Sequence, residues 1–214
     1  MELKGKKVNF LGDSITYGVG TQCRETDCYP AVFARKNELD CARNYGLNAT
    51  CIARRLAPEP HGWNGAAFID RYAGMNDDAD LVIVLGGAND YGLCDAPFGE
   101  LSSRDPNTFC GACHLLFSGL IEKYPSTPIV ILTPLQCAWP DNINHAGKPQ
   151  IAYVDALIEI AGYYSLPVLD LYRTAGMCPR IPVQNKLYFM DGLHPNNAGA
   201  EKLADCVAAF VKTL

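Results

Sequence analysis

The stretch NFLGDSITYGVG, residues 9–20, decides how the rest of the chain is read. An apolar run stops at Leu11 and gives way to Gly12-Asp13-Ser14, small residues that can end a strand and open a helix. A serine in that place either caps a helix or stands as a nucleophile at the carboxyl edge, where open α/β sheets bind their ligands. Outward from it the same alternation recurs. Short runs rich in Val, Ile and Leu at 6–12, 42–47, 80–86, 128–134 and 166–171 are bounded by turn residues, the pattern of parallel strands buried on both faces. Helical patterns fill about 29–39, 64–73, 110–124, 149–164 and 196–214, the last with Leu203, Val207, Phe210 and Val211 near helical spacing. Strands alternating with helices predict a three-layer α/β/α fold, a doubly wound parallel sheet of about five strands.

The chain has 214 residues, the length of one domain, and neither a linker nor a repeat divides it, so 1–214 is read as a single domain. Its 18 basic and 23 acidic residues leave a charge of −5 without long runs, which offers no footprint for nucleic acid or anionic membrane. The longest apolar runs, ADLVIVLGGA and PIVIL, fall short of the roughly 18 residues of a membrane span. No apolar stretch near residue 1 has the length of a secretory signal, so the expected location is cytoplasmic. Ten cysteines are many, yet at about 5 % they lie below the density of a disulfide scaffold, and reduced thiols are expected. Cys23 and Cys28 would be the first pair to bridge.

Several residues could carry chemistry. LGGAND places Asn89 after the third strand, on the same edge as Ser14; Gly, Asn and Asp also make plain turns, but the amide can donate to a developing oxyanion. In MDGLHPNNAG, Asp191 and His194 are three apart on an Asp-Gly turn, and a carboxylate beside an imidazole fixes its tautomer and stabilises the imidazolium. His61, His114 and His145 lack that spacing, which leaves His194 as the best base. Two longer irregular segments, about 134–148 and 172–190, are the expected walls of a site.

GDSIT, NYGLNAT, GGAND and DGLHP, in that order across residues 7 to 214, together resemble the SGNH hydrolases, also called GDSL esterases and lipases. The resemblance implies a flavodoxin-like sheet with a serine hydrolase site on its carboxyl edge. It implies Ser14 as nucleophile, Asp191 and His194 as its partners, and an oxyanion hole of Ser14, Ala49 and Asn89. Asp13 belongs to the motif and is read as structural. NYGLNAT departs from the pattern by putting Ala49 where the family has a glycine; Gly46 is the alternative if the block shifts. No metal or organic cofactor is implied.

The substrate expected is a small-molecule or carbohydrate ester, with acetyl or another short acyl group. Tyr91 and Trp139 are pocket candidates, and lysophospholipids and thioesters are the family's other substrates. A catalytically silent binding domain is the reading from another class. CGACH, residues 110–114, also matches the spacing of covalent haem attachment, and Cys110, Cys113 and His114 are three ligands of a zinc site without an evident fourth.

Overall fold

Strands β1 (Lys7–Gly12), β2 (Cys41–Gly46), β3 (Leu81–Leu85), β4 (Ile129–Leu132) and β5 (Val168–Leu169) form one sheet in the order β2-β1-β3-β4-β5, every pair parallel. This computed structural model describes residues 1–57 and 67–214. After β2 the chain crosses back over β1 to lay down β3 on its other side. The connections leaving the carboxyl ends of β1 and β3 therefore part, and the crevice between them is where such sheets take ligands.

The alternation of side chains along each strand divides the core. Val82, Val84, Ile129 and Ile131 face one layer, where α6 (Phe109–Lys123) and α7 (Gln150–Tyr163) pack. Leu81, Ile83, Leu85, Val130 and Leu132 face the other, against α3 (Tyr29–Lys36) and α10 (Asn197–Val211). Each fully buried side chain of this kind, Phe33 or Leu203 for example, contributes about 1.5–3 kcal/mol. Two of the three long helices, α6 and α10, begin where a side-chain oxygen satisfies an open N–H group. Thr108 accepts from Gly111 N for α6 and Asn196 accepts from Gly199 N for α10, each at 3.1 Å.

The main elements lie within a few residues of their sequence-based bounds, and the misses are local. The sequence pattern does not show the short helices α1 (Ser14–Tyr17), α2 (Arg24–Asp27) and α5 (Ala88–Gly92), each too short for a helical period. The helix expected at 64–73 is α4 (Phe68–Arg71) followed by a 3₁₀ turn at Tyr72–Gly74, and its first residues lie outside the described ones. Segment 134–148 is irregular as expected, but 172–190 is not: it contains the end of α8 (Leu171–Thr174) and all of α9 (Pro182–Tyr188). Pro182 at the start of α9 is a helix-opening residue that the loop reading overlooked.

Among the described residues no helix is long and apolar enough to cross a membrane. None of the ten cysteines is in a disulfide. Cys23 is exposed whereas Cys28 is buried, its sulfur 3.6 Å from the Asn44 amide, so this pair does not bridge.

Candidate active site

Ser14 is the first residue of α1, at the carboxyl end of β1. Asp13 caps the helix, accepting from Ile15 N at 2.9 Å, and this fixes the turn that presents Ser14 to the crevice. Burial pushes the Asp13 carboxyl up to about 6, against the pull of the Ile15 N–H, His194 and Arg71. The side chain is used by the cap, in keeping with a structural reading.

Asp191 and His194 come from the far end of the sequence on a loop pinned at its base. Phe189 and Pro195 form an antiparallel bridge, and Met190 N donates to His194 O at 2.8 Å. Gly192 turns the chain with φ at +85°, a conformation that favours glycine. One Asp191 oxygen accepts from Leu193 N at 3.0 Å and His194 N at 2.8 Å, and the other lies 2.7 Å from His194 Nδ1. Burial works to raise the Asp191 carboxyl, but these donors outweigh it and hold it below its ordinary value. His194 Nε2 lies 3.0 Å from Ser14 Oγ. With Asp191 accepting from Nδ1–H, Nε2 is left bare towards the serine hydroxyl, the tautomer a base needs.

The opposite wall is built from the loop after β2 and from α5. Ala49 sits at φ +58°, the left-handed backbone for which a glycine is the easier residue. Gly46 does not compete as a donor. Its N–H is taken by Asn44 Oδ1 at 2.8 Å, and a side chain there would meet the Tyr17 backbone nitrogen at 2.2 Å. The Ala49 N–H has no protein acceptor among the described residues. Asn89, on α5, donates one amide hydrogen to Thr50 O at 2.9 Å, which leaves its second hydrogen for the crevice.

Two side chains that sequence reasoning missed, the half-buried Arg71 and the buried Asp90, hold this wall. Arg71 donates to Tyr45 O, to Gly12 O at 2.6 Å and to Thr50 Oγ1 at 3.1 Å, tying the ends of β1 and β2 to the Ala49 loop. Burial lowers its guanidinium to about 10, with Asp13 acting against the shift. Asp90 accepts from Ile52 N at 2.9 Å and Ala53 N at 3.0 Å, and burial pushes its carboxyl up to about 7. Neither side chain carries a local sequence signal: Arg71 reads as the polar face of a short helix, and Asp90 as a turn residue after Asn89.

These groups open onto a cleft of about 420 Å³ whose lining includes Ser14, Ala49, Asn89 and His194 together with Leu93 and Trp139. No Asp, Glu, Lys or Arg among the described residues lines it. Tyr91 lines it too, but it is a core residue whose hydroxyl donates to Trp139 O and Asn142 O, both at 2.9 Å. Trp139 is 43 % exposed and is the aromatic face a ligand would meet. Asn48 reaches the lining with a buried Oδ1 that has no protein donor among the described residues.

The Cys110–His114 motif lies elsewhere, in the first turns of α6. Cys110 and Cys113 are fully buried, and His114 spends both ring nitrogens, one on Tyr164 OH at 3.1 Å and one on Leu101 O at 2.8 Å. That engagement opposes the haem and zinc readings, because neither ring nitrogen points to open space. His145 is outside the cleft lining, and His61 lies outside the described residues.

The model of the GDSL-like lipase/acylhydrolase family matches residues 10–202, which takes in all four motifs. The chain belongs to that family. Among its relatives is the acetylxylan esterase of Xylanibacter ruminicola, 26 % identical over 222 aligned positions that cover 96 % of this chain. The match covers 43 % of that relative's length. A crystal structure of a Lactobacillus plantarum protein has 32 % identity and a TM-score of 0.85 over 99 % of this chain and 98 % of its own. The lipase/acylhydrolase of Enterococcus faecalis shares the fold at 21 % identity, with a TM-score of 0.62 over 97 % of this chain and 96 % of its own. Membership of the GDSL-like lipase/acylhydrolase family agrees with the five-stranded parallel α/β sheet described above.

Proposed function

We propose that this GDSL-family chain is a serine esterase that cleaves uncharged carboxylic esters with short acyl groups through an acyl-Ser14 intermediate. The observation that carries the reading is the unbroken relay from Asp191 to His194 Nδ1 at 2.7 Å and from His194 Nε2 to Ser14 Oγ at 3.0 Å. His194 takes the Ser14 proton as Oγ attacks the ester carbonyl, and Asp191 stabilises the imidazolium. The tetrahedral oxyanion is received by the N–H groups of Ser14 and Ala49 and by the second amide hydrogen of Asn89. His194 then protonates the leaving alcohol. Water, deprotonated by the same imidazole, attacks the acyl-serine and releases the acid. Every step uses only these side chains, the two backbone N–H groups and water.

Cleft walls with no Asp, Glu, Lys or Arg among the described residues support an uncharged substrate, and a volume of about 420 Å³ leaves room beyond an acetyl group. A second reading, acetyl esters of a carbohydrate, is favoured by the name of the Xylanibacter relative and by Asn48, whose unengaged acceptor suits a sugar hydroxyl. Hydrolysis of acetyl, butyryl and octanoyl esters of one phenol, alongside acetylated xylooligosaccharides, tests the proposal with Ser14→Ala as the blank. Each methylene accommodated by apolar walls adds about 0.8 kcal/mol, so kcat/KM should rise up to roughly 15-fold from acetyl to butyryl. A preference for the acetylated oligosaccharide over the acetyl phenol ester would select the second reading. Turnover retained in Ser14→Ala would overturn both.

A further inference from the structure

Cys51, Asp90 and Cys94 form a buried cluster that the ester chemistry does not use: the two sulfurs and a carboxylate oxygen all lie within 4.8 Å of one another. A metal ion is poorly served there. Binding one would require two thiolates beside a carboxylate, three negative charges in a buried site with three side-chain ligands. Both Asp90 oxygens are already hydrogen-bonded to backbone N–H groups, and the Cys94 contact, burial and Asp90 all hold the proton on Cys51. A disulfide needs no such charge. The sulfurs would close from at most 4.8 Å to about 2 Å, and the product is neutral.

The positions of the two cysteines give that bond a consequence. Cys51 follows Ala49 and Thr50 in the loop after β2, and Cys94 lies two residues past the end of α5, its N–H donating back to Asn89 O at 2.8 Å. We propose that Cys51 and Cys94 are an oxidisable dithiol, and that their disulfide staples the loop carrying Ala49 to the helix carrying Asn89.

Hydrogen peroxide, small and uncharged, is the oxidant whose chemistry fits a buried pair. The Cys94 thiol passes its proton to Asp90, and the sulfur attacks one peroxide oxygen. The O–O bond breaks, and the departing hydroxide takes the proton back from Asp90 to leave as water. The Cys94 sulfenic acid is then attacked by the Cys51 sulfur. The S–S bond forms, the S–O bond breaks, and the hydroxyl leaves as a second water with the Cys51 proton. Two thiols and one peroxide give one disulfide and two waters; the sulfurs lose the two electrons that the O–O bond gains. Asp90, pushed up to about 7 by burial, is suited to take and return a proton near neutral pH.

The test compares the full chain after treatment with hydrogen peroxide and after reduction with dithiothreitol. Each sample is denatured, alkylated and digested for peptide mass mapping, and a second aliquot is melted. The expected result is a linked Cys51–Cys94 peptide, 2 mass units below the sum of its two thiol forms as two hydrogens are lost. Tm should rise by roughly 5 °C or more, because the link closes a long loop in the unfolded chain. In Cys51→Ala and Cys94→Ala the rise should vanish. Full alkylation of both cysteines after peroxide, or linkage of either to a different cysteine, would overturn the proposal. So would one zinc ion held by the native reduced chain and lost in Cys94→Ala, since the cluster would then be a metal site. The wild-type peptide map decides the matter even where an alanine variant fails to fold.

Discussion

Replacing Ala49 by glycine isolates the backbone from the side chain at a non-glycine residue held at positive φ. At φ +58° an L-residue bears roughly 1–2 kcal/mol of steric strain that glycine lacks. Glycine in turn widens the unfolded ensemble, which costs about 0.4–1 kcal/mol. The balance is a stabilisation of about 0.5–1 kcal/mol, or a Tm rise of roughly 1–4 °C for a chain of this length. Because Ala49→Gly keeps the N–H, turnover should change by less than about tenfold. Ala49→Pro removes the N–H and cannot adopt positive φ, so it should lose at least the roughly 10²-fold expected for one oxyanion donor. Paired thermal melts and initial rates on a short-chain ester read both quantities. A lower Tm for Ala49→Gly would refute the strain assignment. A folded, monodisperse Ala49→Pro with near wild-type turnover would refute the donor assignment, and Gly46 could not replace it, since its N–H is spent on Asn44.

Other side chains give separate readings. Asn89→Ala should lower kcat by roughly 10²- to 10³-fold with little change in KM, measured by steady-state kinetics; an unchanged kcat would remove the amide from the oxyanion hole. Arg71→Met leaves the Gly12, Tyr45 and Thr50 acceptors without their donor and Asp13 without a neighbouring positive charge, and should cost about 3–5 kcal/mol, seen as a drop in the urea midpoint. Asp90 supplies a pH signature. Its folded value of about 7 lies above the ordinary 3.8, so the folded chain holds a proton that the unfolded chain releases. Its contribution to stability is therefore full below about pH 4 and is lost as pH rises through 7, a swing of roughly 4 kcal/mol. Asp90→Asn removes that dependence, so the Tm difference between variant and wild type should grow more favourable to the variant from pH 4 to pH 8; a difference that is flat or falls would contradict a buried, proton-holding Asp90.

The fold was legible because the central strands β1, β3 and β4 leave apolar runs, and all five runs coincide with strands to within two residues at either end, the half-buried edge strand β2 included. β5 is shorter than its run because only Val168 and Leu169 pair with β4 before Asp170 caps α8, its carboxylate accepting from Arg173 N at 3.1 Å. The residues facing the crevice were legible for another reason: Ser14, Asn89, Asp191 and His194 each sit in a motif of turn residues at a strand or helix end. The structure brings Ser14, Asn89 and His194 to one cleft, with Asp191 behind His194 at 2.7 Å from its Nδ1. What supports them was not legible. Arg71 and Thr50 meet only in three dimensions, through a 3.1 Å bond across 21 residues, and no local spacing announces it. The left-handed backbone of Ala49 was hidden because alanine does not advertise positive φ as glycine does. Tyr91, a pocket candidate, does reach the cleft, but the turn of α5 that buries its ring could not be read locally, and its hydroxyl holds the 134–148 segment in place.

The central claim, that Ser14 is the nucleophile activated by His194, is tested most directly by covalent labelling. An activated serine attacks the phosphorus of a fluorophosphonate and expels fluoride, so the folded wild-type chain should gain one adduct per molecule, mapped by tandem mass spectrometry to the peptide containing Ser14. Ser14→Ala should gain none, and His194→Ala should react at least about 10³-fold more slowly while keeping the fold. An unlabelled Ser14 in folded, ester-cleaving protein, or labelling that persists at the wild-type rate in His194→Ala, would contradict it.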